Sequence, residues 1–315
     1  MEFTGIGFPG TRYALNRELT DEERKMQLKQ KERLDVKPLY ETCVTHMNST
    51  YLESVDRYFA WRGVLSLFGY ALFLLGSIGF VAFMTLPQSV LILAFPFISL
   101  LGIAVVGAWI ASYENFTYSY FPILLNRKNR MVYVFRPGRP SRPILVVDWN
   151  RVFFTLGRCN VGVVPGQFWD IRGHVLADDG KTVLDTFSFK PFQIEGDVIN
   201  QKALHRHWEF LRRYMEEGPK EAFETVQICV PVDKKRLSLR LDLNLQYMNW
   251  YGQGGLVIFL LLSPIWALVI LARWLADFTN RKPVWPQDMQ DAFKVEPGDP
   301  YVRDAGLNKP NAWPL

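Results

Sequence analysis

The chain has 315 residues, of which 36 are Lys or Arg, 31 are Asp or Glu and 49% are hydrophobic. A mean hydropathy of +0.00 in a chain with 21% charged residues indicates that apolar and charged residues are segregated. Three stretches contain no charge at all: Gly63–Leu86, Val90–Ala111 and Gly255–Ala272. This pattern excludes an ordinary soluble globule and an intrinsically disordered chain. Three spans are also too few to enclose a transport path within one chain.

Residues 1–60 form a polar N-terminal segment in which the sequence predicts one short helix. Thr20 and Glu23 match a capping box at the start of the charged stretch Asp21–Arg33. The first apolar run begins after residue 60, which is too late for a signal peptide. The three cysteines are widely scattered and form no disulfide framework, which is typical of a reducing compartment.

Residues 61–112 are predicted to form a transmembrane helical hairpin, because the first two charge-free stretches each reach the ~20 residues that a bilayer requires. A short uncharged connection at residues 87–89 joins them. The third stretch predicts a third transmembrane helix over residues 253–275, which Pro264 can kink.

Two sets of residues are expected to position these helices. Small residues allow close helix approach, and the five packing candidates are Gly69, Gly76, Gly79, Gly102 and Gly107. Aromatic rings collect at membrane interfaces, and the four candidate anchors are Trp61, Trp109, Trp250 and Trp274. No ionisable residue lies inside any of the three stretches, which favours an anchor or docking surface over an ion path.

Lysines and arginines near the span ends predict the orientation. Basic residues precede the first and third stretches and follow the second, whereas the hairpin loop has none. The positive-inside rule therefore predicts a cytoplasmic N-terminus and a cytoplasmic region 113–252. Three crossings would put the tail, residues 276–315, on the opposite side, although Arg273, Arg281 and Lys282 oppose this. A bent or re-entrant third helix would remove the conflict.

Residues 113–220 predict an antiparallel β domain, with apolar runs separated by turns and a hairpin signal at Asp179-Gly180. A helix follows at about residues 201–217, with Leu204, Trp208, Leu211 and Met215 on one face. This order of elements resembles the pleckstrin-homology-like (PH-like) domains of bacterial membrane proteins, a β barrel or sheet closed by a helix. In the connector 221–252, residues 223–232 predict a strand, and residues 237–250 are compatible with a strand or an interfacial helix. The fold class is therefore membrane α+β.

The strongest polar cluster in the sequence is basic. Its residues occupy two successive turns after the second stretch: Arg127, Lys128, Arg130, Arg136, Arg139 and Arg142. They are candidates for binding anionic lipid headgroups or an acidic partner. The alternative, that they provide only solubility and orientation, stays open.

The motifs typical of enzymes are missing from the sequence. There is no P-loop, no G-x-S-x-G and no Cys/His cluster with metal spacing. Cys43 and His46 lie three residues apart without an orienting carboxylate in the pattern. We therefore predict a non-enzymatic protein with no catalytic residues, no metal and no cofactor. Lipid explains the basic balance more simply than nucleic acid, which we do not expect as a partner.

Several segments carry a family resemblance: Gly5–Gly10 with the following Arg12-Tyr13 and Asn16-Arg17, the apolar hairpin, and Pro122–Lys128 leading into Val132–Arg136. Together they resemble a family of uncharacterised inner-membrane proteins of Gram-negative bacteria, often encoded near type VI secretion effectors. The resemblance covers about residues 1–215. It implies a location in the bacterial inner membrane and an immunity or effector-associated role, in which the protein binds and neutralises a cognate membrane-acting toxin.

Two other functions remain open at this stage. One is a membrane-anchored lipid-binding adaptor with no toxin partner, and the other is a structural subunit of an envelope or secretion assembly. The identity of the partner, the side of the membrane where it binds and the oligomeric state do not follow from the sequence.

Overall fold

The structure is a computed structural model that describes residues 14–56, 58–85, 90–136, 143–160, 167–190, 197–233, 236–250 and 255–309. Arg139, Arg142 and the hairpin connection 87–89 lie outside the described residues, as does the side chain of Trp250. The chain divides into two compact units. The β unit comprises Met1–Tyr58, Tyr120–Asp233 and Pro283–Pro314, and the helical unit comprises Phe59–Ser119 and Lys234–Lys282.

Ten strands and ten α-helices are present in the described residues. The strands are β1 (Arg17–Glu18), β2 (Gln27–Leu28), β3 (Val44–Met47), β4 (Tyr51–Ser54), β5 (Ile123–Asn126), β6 (Met131–Phe135), β7 (Ile144–Asp148), β8 (Val152–Asn160), β9 (Gln167–Leu176) and β10 (Thr182–Lys190). The helices are α1 (Asp21–Lys25), α2 (Tyr58–Trp61), α3 (Val64–Met84), α4 (Val90–Ser112), α5 (Asp197–Glu216), α6 (Pro219–Thr225), α7 (Leu239–Trp250), α8 (Gly255–Leu261), α9 (Ser263–Thr279) and α10 (Gln287–Gln290).

The β unit contains two antiparallel five-stranded sheets. The first has the order β1-β10-β9-β8-β2 and the second has the order β3-β4-β5-β6-β7. No strand ladder joins the two sheets in the part of the chain that the structure describes. The prediction of a mixed α+β protein with antiparallel strands is confirmed. The sequence is compatible with a closed barrel or a sheet, and in the described residues these strands form two open sheets.

The N-terminal segment contributes four strands to these sheets, where the sequence indicated one short helix. That helix is present as α1, and Thr20 and Glu23 form its capping box. The strands were missed because β1 and β2 have two residues each, and because β3 and β4 contain the polar residues Thr45, His46 and Glu53. Residues 14–56 are therefore part of the β unit rather than a separate segment.

The predicted amphipathic helix is α5, and its apolar face closes the core of the β unit. All four predicted residues of that face are buried. Trp208 stacks on Trp149 with ring centroids 5.5 Å apart and lies 4.8 Å from Phe154. Aromatic side chains bury large apolar areas, so this cluster contributes strongly to the stability of the unit.

The helical unit is built on α3 and α4, an antiparallel pair connected near residues 86–89. Two of its helices are long and apolar enough to cross a membrane, Phe59–Met84 and Phe95–Ser112. In each of these helices, only 17% of an apolar stretch of 18 residues is buried. A core helix of a soluble protein would be mostly buried, so these two helices do not have that character.

The predicted third transmembrane helix is not a single span in the structure. The chain forms α8, breaks at Leu262 and continues as α9 with Pro264 in its first turn. At 1.5 Å per residue, α9 is about 25 Å long and α8 about 10 Å, so neither alone crosses a core of ~30 Å. The helix also runs beyond the charge-free stretch and includes Arg273 and Asp277.

The connector and the tail also differ from prediction. The predicted strand at residues 223–232 is partly helix, because α6 extends to Thr225. Residues 237–250 were expected to form a strand or a helix, and Leu239–Trp250 form the helix α7. The tail beyond residue 282 packs within the β unit, where Arg303 pairs with Met47 as an isolated bridge and Asp299 accepts hydrogen bonds from Ser49. The tail is therefore an integral part of that unit.

Candidate functional site

Three of the five predicted packing glycines lie where the backbones of α3 and α4 touch. A Cβ added at Gly69, Gly76 or Gly107 would lie 2.5, 2.5 or 2.3 Å from a backbone nitrogen of the facing helix. At Gly79 the nearest atom, at 2.8 Å, belongs to a flexible leucine side chain, and at Gly102 there is open space. The backbones of α3 and α4 therefore approach closely along a seam formed by Gly69, Gly76 and Gly107.

The N-terminus of α3 is capped by a carboxylate from the end of α4. Its N-cap residue, Gly63, has no side chain, and the Glu114 carboxylate accepts from the backbone N–H groups of Gly63 at 3.0 Å and Ser66 at 2.8 Å. A negative charge at this position also interacts favourably with the helix dipole. Gly63 has φ +98°, and a Cβ there would lie 2.3 Å from the carbonyl oxygen of Val269, so only glycine fits.

Five ionisable side chains meet at this same end of the helices. We call them the basal cluster: Arg62, Glu114, Asp242, Arg273 and Asp277. None is more than 5% exposed. Two arginines and three carboxylates give the cluster a formal charge of −1 if every group is ionised. Buried charges persist only when they are paired and hydrogen-bonded.

The pairing in the basal cluster links four different parts of the chain. Arg62 donates to the carbonyl of Tyr118 at 2.7 Å and lies 3.6 Å from Asp277. Arg273 lies 3.3 Å from Asp242. The same Asp242 carboxylate accepts from the indole N–H of Trp274 at 2.8 Å. The cluster therefore ties α7 and α9 to the start of α3 and the end of α4.

The basal cluster was not predicted from the sequence. Its members flank the charge-free stretches instead of lying inside them, and the partners Arg62 and Asp277 are far apart in the chain. The available signal was the position of charged residues one or two places beyond the apolar ends, as at Arg62 and Arg273. That signal supports a prediction of orientation, but it does not reveal which charged residues pair.

The outward faces of the helical unit are apolar. Side chains that are more than a third exposed occur along α3, α4, α8 and α9 and include Phe73, Leu74, Leu75, Ile78, Val81, Phe95, Ile98, Leu101, Val105, Val257, Leu260, Leu261, Ile265, Leu268 and Leu271. Exposed apolar surface of this extent is typical of a membrane or protein interface.

The predicted aromatic anchors differ in their surroundings. Trp109 is 55% exposed and packs edge-to-face on Tyr113. Trp61 is half-buried, and Trp274 is tied to the basal cluster. Phe116 was not predicted, and it has φ +60° and is 80% exposed, a strained and solvated position for an aromatic residue unless an apolar phase covers it.

The described residues of the basic turns are engaged inside the β unit. Arg127 donates to a backbone carbonyl at 3.1 Å, and Lys128 pairs with a glutamate of the tail. Arg130 bonds the end of α5 through a carbonyl and a glutamate. Arg136 is buried and makes a bidentate pair with Asp185 at 2.8 and 2.6 Å. These contacts give the four side chains a structural role, and their binding of headgroups stays a prediction.

Cys43 and His46 have separate partners. The Cys43 thiol donates to the carbonyl of Tyr40 at 3.1 Å, whereas the His46 imidazole bonds to Glu53 at 3.1 Å. The hydrogen bond to Glu53 raises the pKa of His46 above its ordinary value. Within the described ranges, no group of three or more His, Cys, Asp or Glu is arranged to hold a metal ion.

Residues 100–297 match a family model, described as a family of unknown function (DUF6708). The chain belongs to this family. The match covers four of the five basal-cluster residues, from Glu114 to Asp277, together with α5 and most strands of both sheets. No curated protein and no solved structure matches the chain.

Proposed function

We propose that the chain is an integral membrane protein in which the α3–α4 hairpin anchors a non-catalytic binding module. The observation that carries this proposal is the exposure of the two long apolar helices. In each helix, only 17% of an apolar stretch of 18 residues is buried. Water does not solvate such surfaces favourably, whereas acyl chains do. The glycine seam supports the same conclusion, because small residues drive helix association in lipid.

The membrane we propose is the bacterial inner membrane, with the N-terminus and the β unit in the cytoplasm. The basic residues beside the hairpin ends support this orientation through the positive-inside rule. The inner-membrane location rests on the family resemblance of the sequence. We further propose that the β unit is a variant of the PH-like architecture, since it combines two antiparallel sheets with one core-packed helix, α5.

The binding function we propose is immunity: the protein neutralises a cognate membrane-acting toxin of a type VI secretion system by occluding it. The resemblance suggests this role. The internal contacts of Arg127, Lys128, Arg130 and Arg136 favour protein recognition over headgroup docking, because they use the donors that phosphates would need.

Co-expression tests the immunity function directly. The chain is expressed with the toxin encoded beside it, and survival is compared with that of cells carrying an empty vector. A matched control is the Gly102→Ala variant, which changes the hairpin only at an open position and should protect as well as the native chain. We expect survival and co-purification of the toxin in mild detergent. Unchanged lethality without co-purification would contradict the proposal.

The two rival functions give different outcomes in the same purification. A structural subunit would retain several envelope or secretion components instead of one toxin. A lipid-binding adaptor would retain anionic lipid and lose it when Arg127, Lys128 and Arg130 are replaced by Ala. We expect this triple variant to lose thermal stability while its lipid content is unchanged.

A further inference from the structure

Helix α9 lies antiparallel to α3 and packs against the beginning of that helix. Gly63, at the start of α3, faces Val269 and Arg273. Val64 and Leu67 pack against the cluster that contains Trp266. Since Leu67 is four residues beyond Gly63, these contacts lie within the first ~6 Å of a helix that is about 32 Å long.

The chain reaches this position from the same end of the helices. Asp242, near the start of α7, contacts Arg273 and Trp274 in the basal cluster. Five residues later Tyr247 contacts Phe259 of α8 at a ring distance of 5.3 Å. Helix α7 therefore rises from the basal cluster to the depth of Trp266, and α9, which follows α8 and the break at Leu262, runs from that depth back to the cluster.

The chain also leaves at that end. Thr279, the last residue of α9, accepts through its hydroxyl from the backbone N–H of Phe116 at 3.0 Å. Arg281 then pairs with the segment after α4, through hydrogen bonds with Thr117 and Ser119 of 2.8 Å each. Beyond this point, residues 283–308 pack within the β unit, which also contains the strands that precede and follow the hairpin.

An apolar face of this element has no protein partner among the described contacts. It is formed by residues that are 49–74% exposed: Val257, Leu260, Leu261, Ile265, Leu268 and Leu271. This face belongs to the same unit as the exposed apolar residues of α3 and α4, so the same phase should cover both. A short element that enters and returns at one end reaches only the nearer half of a bilayer about 30 Å thick.

We propose that α7, α8 and α9 form a re-entrant element that packs against the acyl chains of one leaflet, the leaflet on the side of the β unit. This inference rests on the proposed membrane anchoring by α3 and α4. Non-helical backbone at membrane depth is tolerated when it is buried in protein, and the break at Leu262 packs against the cluster of Phe259 and Trp266. The chain thus crosses the bilayer twice, and its tail lies on the side of its N-terminus.

Single-cysteine labelling of the full chain tests this topology. In a background with Cys43, Cys159 and Cys229 replaced by Ala, a cysteine is placed in turn at three exposed positions: Asp178 in the β unit, Leu307 in the tail, and Thr85 at the far end of α3. Each variant is exposed to a membrane-impermeant maleimide in intact cells and in inverted vesicles.

We expect the cysteines at Asp178 and Leu307 to react from one side and the cysteine at Thr85 from the other. If the cysteine at Leu307 is labelled from the same side of the membrane as Thr85→Cys, and from the side opposite to Asp178→Cys, the re-entrant element is overturned and the anchoring stays intact. Equal reaction of all three in intact cells and in vesicles overturns the anchoring and the inference together.

A second measurement avoids the three alanine substitutions. A reporter that fluoresces only when folded in the cytoplasm is fused to the N-terminus, or separately to the C-terminus, of the otherwise native chain. The inference expects equal fluorescence from the two fusions. If the C-terminal fusion is stably inserted in the membrane and yet only the N-terminal fusion fluoresces, the inference of a re-entrant element is overturned.

Discussion

A close backbone contact between α3 and α4 makes Gly76 sensitive to a single methyl group. A Cβ at Gly76 would lie 2.5 Å from the backbone nitrogen of Ala104 and 2.7 Å from the carbonyl oxygen of Leu100. Favourable carbon contacts need about 3.5–4.0 Å, so the helices must separate locally by about 1 Å. Both nearest atoms are backbone, and no side-chain rotation relieves the clash.

The expected magnitude follows from two opposing effects. Overpacking of a close-packed contact costs about 1–3 kcal/mol, whereas replacing Gly by Ala inside a helix stabilises it by about 0.5–1 kcal/mol. Gly102 supplies a matched control on α4, because a Cβ there meets nothing within 4 Å. The helix-propensity gain is common to both substitutions, so the difference between Gly76→Ala and Gly102→Ala isolates the packing cost, about 1–3 kcal/mol.

Thermal unfolding of the purified variants in the same detergent measures this difference. We expect a lower Tm than native for Gly76→Ala and an equal or higher Tm for Gly102→Ala. Gly107→Ala, whose Cβ would lie 2.3 Å from a backbone nitrogen, should behave like Gly76→Ala. Equal Tm shifts for the Gly76 and Gly102 variants would refute the close seam.

Three further changes separate structural roles. Glu114→Gln removes the charge that caps α3 and should destabilise the chain by about 1 kcal/mol in detergent unfolding; an unchanged Tm would argue against the cap. Since the folded-state pKa of His46 is raised, its stabilising contribution is present below the unfolded pKa of about 6.5 and is lost as the pH rises through the folded value. The Tm difference between native and His46→Gln should therefore be larger near pH 5.5 than near pH 8.5, and a difference independent of pH would contradict this. Arg136→Ala leaves the Asp185 carboxylate buried and should cost about 3–5 kcal/mol, against at most about 1 kcal/mol for the exposed pair of Lys128; equal losses in urea unfolding would show that burial of the pair is unimportant.

The parts of this fold that were predictable from the sequence have strong local patterns. The apolar hairpin followed from length and absence of charge, and α5 followed from the spacing of Trp208 and its neighbours. Gly69, Gly76 and Gly107 were identified as packing residues because small residues in apolar helices serve few other purposes. Each of these patterns is contained in one segment of the chain.

The missed features depend on contacts between distant segments. The basal cluster joins Arg62 to Asp277, and no local pattern reveals such a pair. Arg136 looked like a surface cation, but the Asp185 carboxylate on β10 accepts hydrogen bonds from both of its Nη atoms. The third apolar stretch had the composition of a span, yet tertiary contacts at Gly63 hold α9 beside only the first turns of α3.

Membrane anchoring by α3 and α4 is tested most directly by extracting membranes that contain the native chain with alkaline carbonate. This treatment releases proteins held by electrostatic or protein contacts and leaves embedded helices in the lipid. We expect the chain to stay in the membrane pellet and to dissolve only in detergent. Release of folded, monodisperse protein into the carbonate supernatant would contradict this expectation.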